Sequence, residues 1–322
     1  MIAPARGEVT LGTRSSALAR AQTVRAIELL QVAWPGIKCE VRTIETTGDR
    51  TQARGEPLPE IGGKGLFTAE LAQALRDREI DLAVHSLKDL PTEEEPGVVI
   101  GSTCLREDAR DCLVARDGLR FRDLPAGSVV GTSSLRRAAQ VRGMRHDVEV
   151  RSIRGNVDTR IRKVREGEVD AVVLAAAGMW RLDRDRDVTD WFEPDAMLPA
   201  PGQGTLALQC RADDDELLGM LVKVDDPGTR AEATAERTFL SALGAGCTAP
   251  VGAHAEASSW VTPPDAGSRG TVLVRMRGLV ASVDGHDVVR VEGEGDPAEL
   301  GARLADEALA AGAHEILEAI RA

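Results

Sequence analysis

The chain has 322 residues, enough for two or three domains, with 43% apolar and 29% charged residues, an ordinary globular balance. Asp and Glu outnumber Lys and Arg by 52 to 40, and the formal charge of −12 argues against a general nucleic-acid or anionic-membrane binder. Four Phe, four Trp and no Tyr leave little material for a base-stacking platform.

In chain order, Val9–Gly12 reads as a strand and Ala17–Val32 as a helix with apolar residues at helical spacing. A second strand is predicted at Val41–Thr46, a helix at Gly65–Asp77 and a third strand at Asp81–His85. This alternation predicts a parallel sheet with helices on both faces. The pattern then restarts. LGTRSSALARAQTVR (11–25) and VGTSSLRRAAQVR (130–142) both run from a strand through Gly-Thr and a Ser pair into a helix with an Ala-Gln step. DLAVHSLKD (81–89) and DAVVLAAAG (170–178) both read as acid-led apolar strands. Two related α/β domains are expected. Prolines and glycines in MLPAPGQG (197–204) mark a break before a buried strand, TLALQC (205–210). The last third changes character. It reads as a helix at Ala231–Leu243, a loop over 256–270, strands at Val272–Val280 and His286–Glu292, and one long helix from Pro297 to Arg321.

The negative total hides a cationic segment. Residues 131–165 hold ten Arg or Lys against three acids, a net of +7. Nine of the ten are Arg, whose rigid fork grips carboxylates and phosphates. Arg142, Arg145, Arg162 and Arg165 fit a solvated helix face. Arg136, Arg137, Arg154 and Arg160 lie beside turn signals and suit anion recognition. Thr132 and Ser134 stand where a strand meets a helix N-terminus, a natural anion site. Arg14 and Ser16 repeat the device, and IGGKGLF offers a third glycine-rich turn with Lys64. Simple N-capping is the plainer account of each serine. No Walker loop occurs, so nucleotide hydrolysis is not indicated.

Two further motifs bear chemistry. DLAVHSLKDLP ends a strand with His85, Ser86, Lys88 and Asp89, where catalytic groups of such sheets lie, although a polar surface turn has the same composition. LGAGCTAPVGAHA places Cys247 on a glycine-wrapped turn, open either to nucleophilic chemistry or to covalent attachment. Cys39, Cys104, Cys112 and Cys210 lie in or beside apolar strands and are assigned to packing. The five His show no ligand spacing, so no metal is expected. The five Cys form no C-x-x-C pair, and the N-terminus lacks a signal-type apolar stretch. A cytoplasmic protein with reduced thiols is the expectation.

Taken together, TRSSALA (13–19), TTGDR (46–50), GGKGLF (62–67), HSLKDLP (85–91), EDARDCL (107–113), GTSSLRR (131–137), RGNVDTR (154–160), AAAGMWRL (175–182), LPAPGQG (198–204) and GAGCTAPVGA (244–253) resemble the porphobilinogen deaminase (hydroxymethylbilane synthase) family. The resemblance implies two doubly wound domains like the type II periplasmic binding proteins, at 1–104 with 205–224 and at 105–204. A smaller α+β domain at 225–322 would carry the cofactor. It implies a dipyrromethane cofactor joined by a thioether to Cys247. Four porphobilinogen molecules would be deaminated and coupled onto it head to tail, and hydroxymethylbilane released by hydrolysis. Asp89 would be the catalytic carboxylate, stabilising the cation left by loss of ammonia, holding the pyrrole N–H groups and helping the proton transfers. Ser86, Lys88, Thr132, Ser134, Arg136 and Arg137 would hold the cofactor with Asp89. Arg14, Ser16, Lys64, Arg154, Arg160, Arg181 and Gln203 would meet substrate carboxylates, with Phe67 near the ring. Porphobilinogen would be the partner of a monomeric enzyme that binds neither nucleic acid nor membrane. Ala245 departs from the resemblance, where many family members have Gly. The competing reading is an anion-binding protein built on the same α/β pair without catalysis.

Overall fold

A computed structural model describes residues 6–48, 68–93, 95–246, 248–261 and 271–321. Contacts divide the chain into two compact units: Met1–Glu107 with Thr205–Arg230, and Asp108–Gly204 with Ala231–Ala322.

The first unit is built from β1 (Glu8–Thr13), α1 (Ala17–Ala33), β2 (Lys38–Thr43), α2 (Ala69–Arg76), β3 (Leu82–Ser86) and β4 (Val98–Thr103). The chain returns to it through β10 (Leu206–Arg211). The sheet order is β2-β1-β3-β10-β4, with β1 parallel to both β2 and β3, and β10 antiparallel to β3 and β4. The second unit repeats the arrangement with β5 (Asp111–Ala115), β6 (Val129–Gly131), α3 (Leu135–Met144), β7 (Glu149–Arg151), α4 (Val157–Arg165), β8 (Ala171–Ala175), α5 (Ala176–Arg181) and β9 (Asp190–Phe192). Its order is β7-β6-β8-β5-β9, with β5 antiparallel to β8 and β9. Each sheet therefore takes its one antiparallel strand from the chain just after it has crossed from the other unit.

The central strands are apolar runs because helices cover both faces. All of β5 is buried, as are the first four residues of β3 and β8. In the first sheet, Val9, Leu11, Leu82, Val84, Leu206 and Leu208 pack with Ala26 and Leu30 of α1. Ala83 and Val98 pack with Leu71 and Leu75 of α2 on the opposite face. The acids that lead β3 and β8 have matching tasks. Asp81 accepts the Thr10 N–H at 2.9 Å and pairs with Arg6 and Arg211. Asp170 accepts the Val129 N–H at 2.7 Å and pairs with Arg116. Gly12 and Gly131 also correspond. A Cβ at either would meet an isoleucine, Ile80 Cδ1 at 2.3 Å or Ile153 Cδ1 at 2.7 Å, so both are places of close packing.

The remainder of the second unit is an antiparallel sheet, β11 (Val251–Val261), β12 (Thr271–Ala281) and β13 (Val288–Gly295), with α7 (Pro227–Ala242) beginning in the first unit. Phe239 and Leu240 of α7, Val274 and Met276 of β12, and Leu300 and Leu304 form its core. Between β10 and α7 lies α6 (Asp215–Leu221).

Several expectations shift. The second strand starts three residues earlier than predicted, because an edge strand with polar residues gives a weak pattern. The 170–178 run is a strand only to Ala175, and α5 begins at Ala176. The expected loop from 256 is strand as far as Val261. The long C-terminal helix is two helices, α8 (Pro297–Ala308) and α9 (His314–Arg321), joined by a π-type turn in which Gly312 takes φ 104°. Only glycine adopts that backbone without strain.

Candidate functional site

Both sheets gather the singled-out residues at the carboxyl ends of their parallel strands. In the first unit, Arg14 follows β1 and Ser16 caps α1, its Oγ accepting the Ala19 N–H at 3.2 Å. Ser86 ends β3 and its Oγ is bonded to Gln22 Nε2 at 2.6 Å. A single 3₁₀ turn, Leu87–Asp89, follows. Leu87 and Leu90 are buried, and the Leu87 N–H donates to the Thr205 carbonyl at 3.0 Å. This anchored turn leaves Lys88 half-buried and Asp89 exposed. The Asp89 carboxylate has no hydrogen bond or ion pair among the described residues. His85 lies just inside, fully buried. Burial, with the charge of Arg14, pushes its pKa down to about 4, so the ring is neutral. Lys64 and Phe67 fall outside the described residues.

In the second unit, Thr132 is buried. Its N–H donates to the Arg151 carbonyl, and its Oγ1 accepts the Ser134 N–H at 3.2 Å. Ser134 caps α3 by accepting the Arg137 N–H at 3.4 Å. Both predicted serines are therefore N-caps, the plainer account; a cap accepts through oxygen and leaves the hydroxyl hydrogen for another partner.

Arg136 and Arg137 are not solvent-facing forks. Both are buried and both bind Asp111, through Arg136 Nη1 at 2.7 Å and Arg137 Nη2 at 2.7 Å. Arg137 also reaches the Val173 carbonyl, and Arg136 the Leu198 carbonyl. Gln203 is fully buried, and its Nε2 donates to Asp111 and to the Ala109 and Arg110 carbonyls. Burial alone would raise the Asp111 pKa, but the two guanidinium groups hold it well below the carboxylate range. Arg181 donates to the Gly204 carbonyl at 2.6 Å, and Arg154 is exposed. Arg160 donates to the Gly155 carbonyl but forms no ion pair among the described residues. Burial and the positive charge of Arg137 push its pKa down to about 10. A partly buried arginine beside another arginine, with no paired acid among the described residues, suits an anionic ligand, and a dipyrromethane carries carboxylates of that kind.

Cys247 also falls outside the described residues. On either side of it, the Ala249 N–H donates to the Gly246 carbonyl at 3.0 Å. Ala245 is buried and needs no left-handed backbone, so alanine fits there.

Three anchors were not singled out in the sequence. Asp111 is one. Gln140 accepts the Leu198 N–H at 2.7 Å and donates to its carbonyl at 3.0 Å, fixing the start of LPAPGQG. Glu236 of α7 is buried and accepts the Gly202 and Ala255 N–H groups, tying the same loop to β11. The shared Ala-Gln step was the one available signal. Gln22 and Gln140 each run from the first helix of a repeat to a segment that carries site residues, the end of β3 and the LPAPGQG loop.

Residues 9–219 match the family model described as "Porphobilinogen deaminase, dipyromethane cofactor binding domain", and residues 230–310 match "Porphobilinogen deaminase, C-terminal domain". The porphobilinogen deaminase of Mycolicibacterium gilvum is 48% identical over 96% of this chain and 98% of its own length. That of Deinococcus radiodurans is 44% identical over 97% of this chain and 99% of its own. Among solved structures, the VFT2 domain of Bordetella pertussis BvgS is similar at 18% identity and a TM-score of 0.40, over 68% of this chain and 87% of that one. By its two matched domains and its near full-length relatives, the chain belongs to the porphobilinogen deaminase family.

Proposed function

We propose that the chain joins four porphobilinogen molecules head to tail on a dipyrromethane held through Cys247 and releases hydroxymethylbilane by hydrolysis. The observation that carries the catalytic assignment is Asp89, an exposed carboxylate with no partner among the described residues, on a turn pinned by buried Leu87 and Leu90. Loss of ammonia from porphobilinogen leaves a cation on its ring system. Asp89 stabilises that charge, accepts hydrogen bonds from pyrrole N–H groups, and helps move protons to the departing amine and away from the ring carbon that forms the new bond. When bound, dipyrromethane supplies the nucleophilic pyrrole carbon that meets the first substrate. Its acetates and propionates would be held by Lys88, Ser86, Thr132, Ser134, Arg136 and Arg137. Arg14, Ser16, Lys64, Arg154, Arg160, Arg181 and Gln203 serve the carboxylates of incoming substrate, and Phe67 packs near its ring. Residues 225–322 form the attachment domain.

The enzyme acts as a monomer in the cytoplasm, without nucleic-acid or membrane partners. In support, no helix among the described residues is long and apolar enough to cross a membrane. The buried Cys112 and Cys210 are free, and burial pushes their thiols up to about 12, which makes them inert.

Intact-protein mass tests the tether. The chain as isolated is expected to exceed its sequence mass by one dipyrromethane, and Cys247→Ala to match its own. A wild type at bare sequence mass that still consumes porphobilinogen would overturn the assignment.

A further inference from the structure

We infer that Asp111 is a positioning residue, which sets Arg136, Arg137 and Gln203 in place before any carboxylate arrives. The inference rests on the proposal that this arginine pair receives cofactor carboxylates. Asp111 opens β5, is 0% exposed, and accepts four hydrogen bonds from these three side chains. Two guanidinium groups against one carboxylate leave a buried net charge of one. Such burial is expensive, and an apolar replacement of an ionic cluster is often neutral or stabilising.

The repeat supplies an internal control. Asp111 pairs with Ala175 at the end of β8, and Leu206 pairs with Ser86 at the end of β3. Leu206 thus holds in the first sheet the place of Asp111 in the second. Counted from the capping serines, Leu18 and Ala19 hold the places of Arg136 and Arg137. The same sheet and first helix form with no ionisable group at any of the three positions. The fold does not require the cluster. What the cluster adds is two fixed guanidinium groups and an excess positive charge. The Nε of Arg136 is buried with no partner among the described residues, and Arg160 adds its charge nearby. Asp111 offsets one charge so that both arginines can be held folded and aligned. The carboxylate itself makes no contact with ligand in this scheme.

The test uses full-length chains carrying Asp111→Asn, Asp111→Glu, or Asp111→Leu with Arg136→Leu and Arg137→Ala. Each is read by thermal melting, by the loaded fraction from intact mass, and by KM and kcat per loaded chain. Asp111→Asn leaves two buried cations and can fail to fold; Asp111→Glu keeps the charge and moves it by one methylene. The expected result for Asp111→Glu is a folded chain with the loaded fraction down about tenfold and KM up about tenfold, kcat per loaded chain changing less. The triple variant, which carries the first sheet's residues, is expected to fold and stay unloaded. Wild-type loading and KM in a folded Asp111→Glu or Asp111→Asn overturn the positioning role. So does a failure of both to fold, which makes Asp111 a fold residue. A triple variant that loads and turns over normally removes the arginines from recognition, so the failure of the underlying reading is distinct.

Discussion

The two α/β sheets have the same strand order and the same leading acid before the third strand, yet their carboxyl ends are finished differently. After β3 the chain makes one 3₁₀ turn and presents Lys88 and Asp89. After β8 it enters α5 at once, and Ala176, Ala177 and Met179 are buried. The first sheet leaves its third strand end open for an acid group. The second closes that end with a helix and places its cations on α3 and the turns beside it. On the proposed assignment, the first half carries the acid group while most of the candidate arginines stand in the second, and an acidic protein can hold such a cationic segment. A polycarboxylate can be handled by one region while the remaining surface stays negative.

The division is broken most directly at Asp89. Asp89→Asn keeps the shape and removes the charge. Turnover is expected to fall by about 10²–10⁴-fold, the usual weight of a proton-transfer group. Melting should stay at the wild-type value, since the side chain is exposed and has no partner among the described residues. Steady-state rates and a melting curve together check this; a rate near wild type, or a collapse in stability, would take the chemistry away from this turn.

The repeat itself was legible because its signals are local. Ser-Ser turns cap helices, a buried parallel strand reads as an apolar run, and the leading Asp meets a neighbouring N–H. The predicted helix ending at Val32 ends in fact at Ala33. Where neighbours far along the chain decide, the pattern misleads. Residues 176–178 continue the apolar run of β8 yet turn into helix. Gly312 interrupts an unbroken helical period. Asp111 sits in EDARDCL as an ordinary polar residue before a strand, and its partners lie 25, 26 and 92 residues away. The burial of Arg136 and Arg137 was hidden for the same reason, because arginine after a cap reads as surface until its acid is known.

A smaller effect separates the halves through pH. Counting from the paired strand ends, His85 occupies in β3 the place of Leu174 in β8. The ring faces Gln209 and the charge of Arg14, and its folded pKa of about 4 lies below the ordinary histidine value of 6.5. A group depressed in this way stabilises the fold above its unfolded pKa, and the contribution is lost as pH falls toward the folded value. Between pH 6.5 and 5 the loss amounts to about 1.5 kcal/mol. Denaturant unfolding at the two pH values should show it in wild type and show less of it in His85→Leu. Equal slopes in both proteins would assign the acid sensitivity elsewhere.

The least disruptive comparison is between the two capping serines, because both do the same structural work. Ser16→Ala and Ser134→Ala each remove one side-chain acceptor from a helix N-terminus, and each should lower stability by about 1 kcal/mol. The caps differ in what their helices carry. α1 presents Leu18 and Ala19 after its serine, while α3 presents the arginines held by Asp111. Loosening the first turn of α3 therefore disturbs charged groups, and loosening that of α1 does not. Ser134→Ala is expected to lower the loaded fraction seen by intact mass as well as the melting point, and Ser16→Ala the melting point with at most a rise in KM. If both variants lose stability equally and load equally, the serines are caps in both halves and nothing more, and carboxylate recognition in the second half rests on its arginines alone.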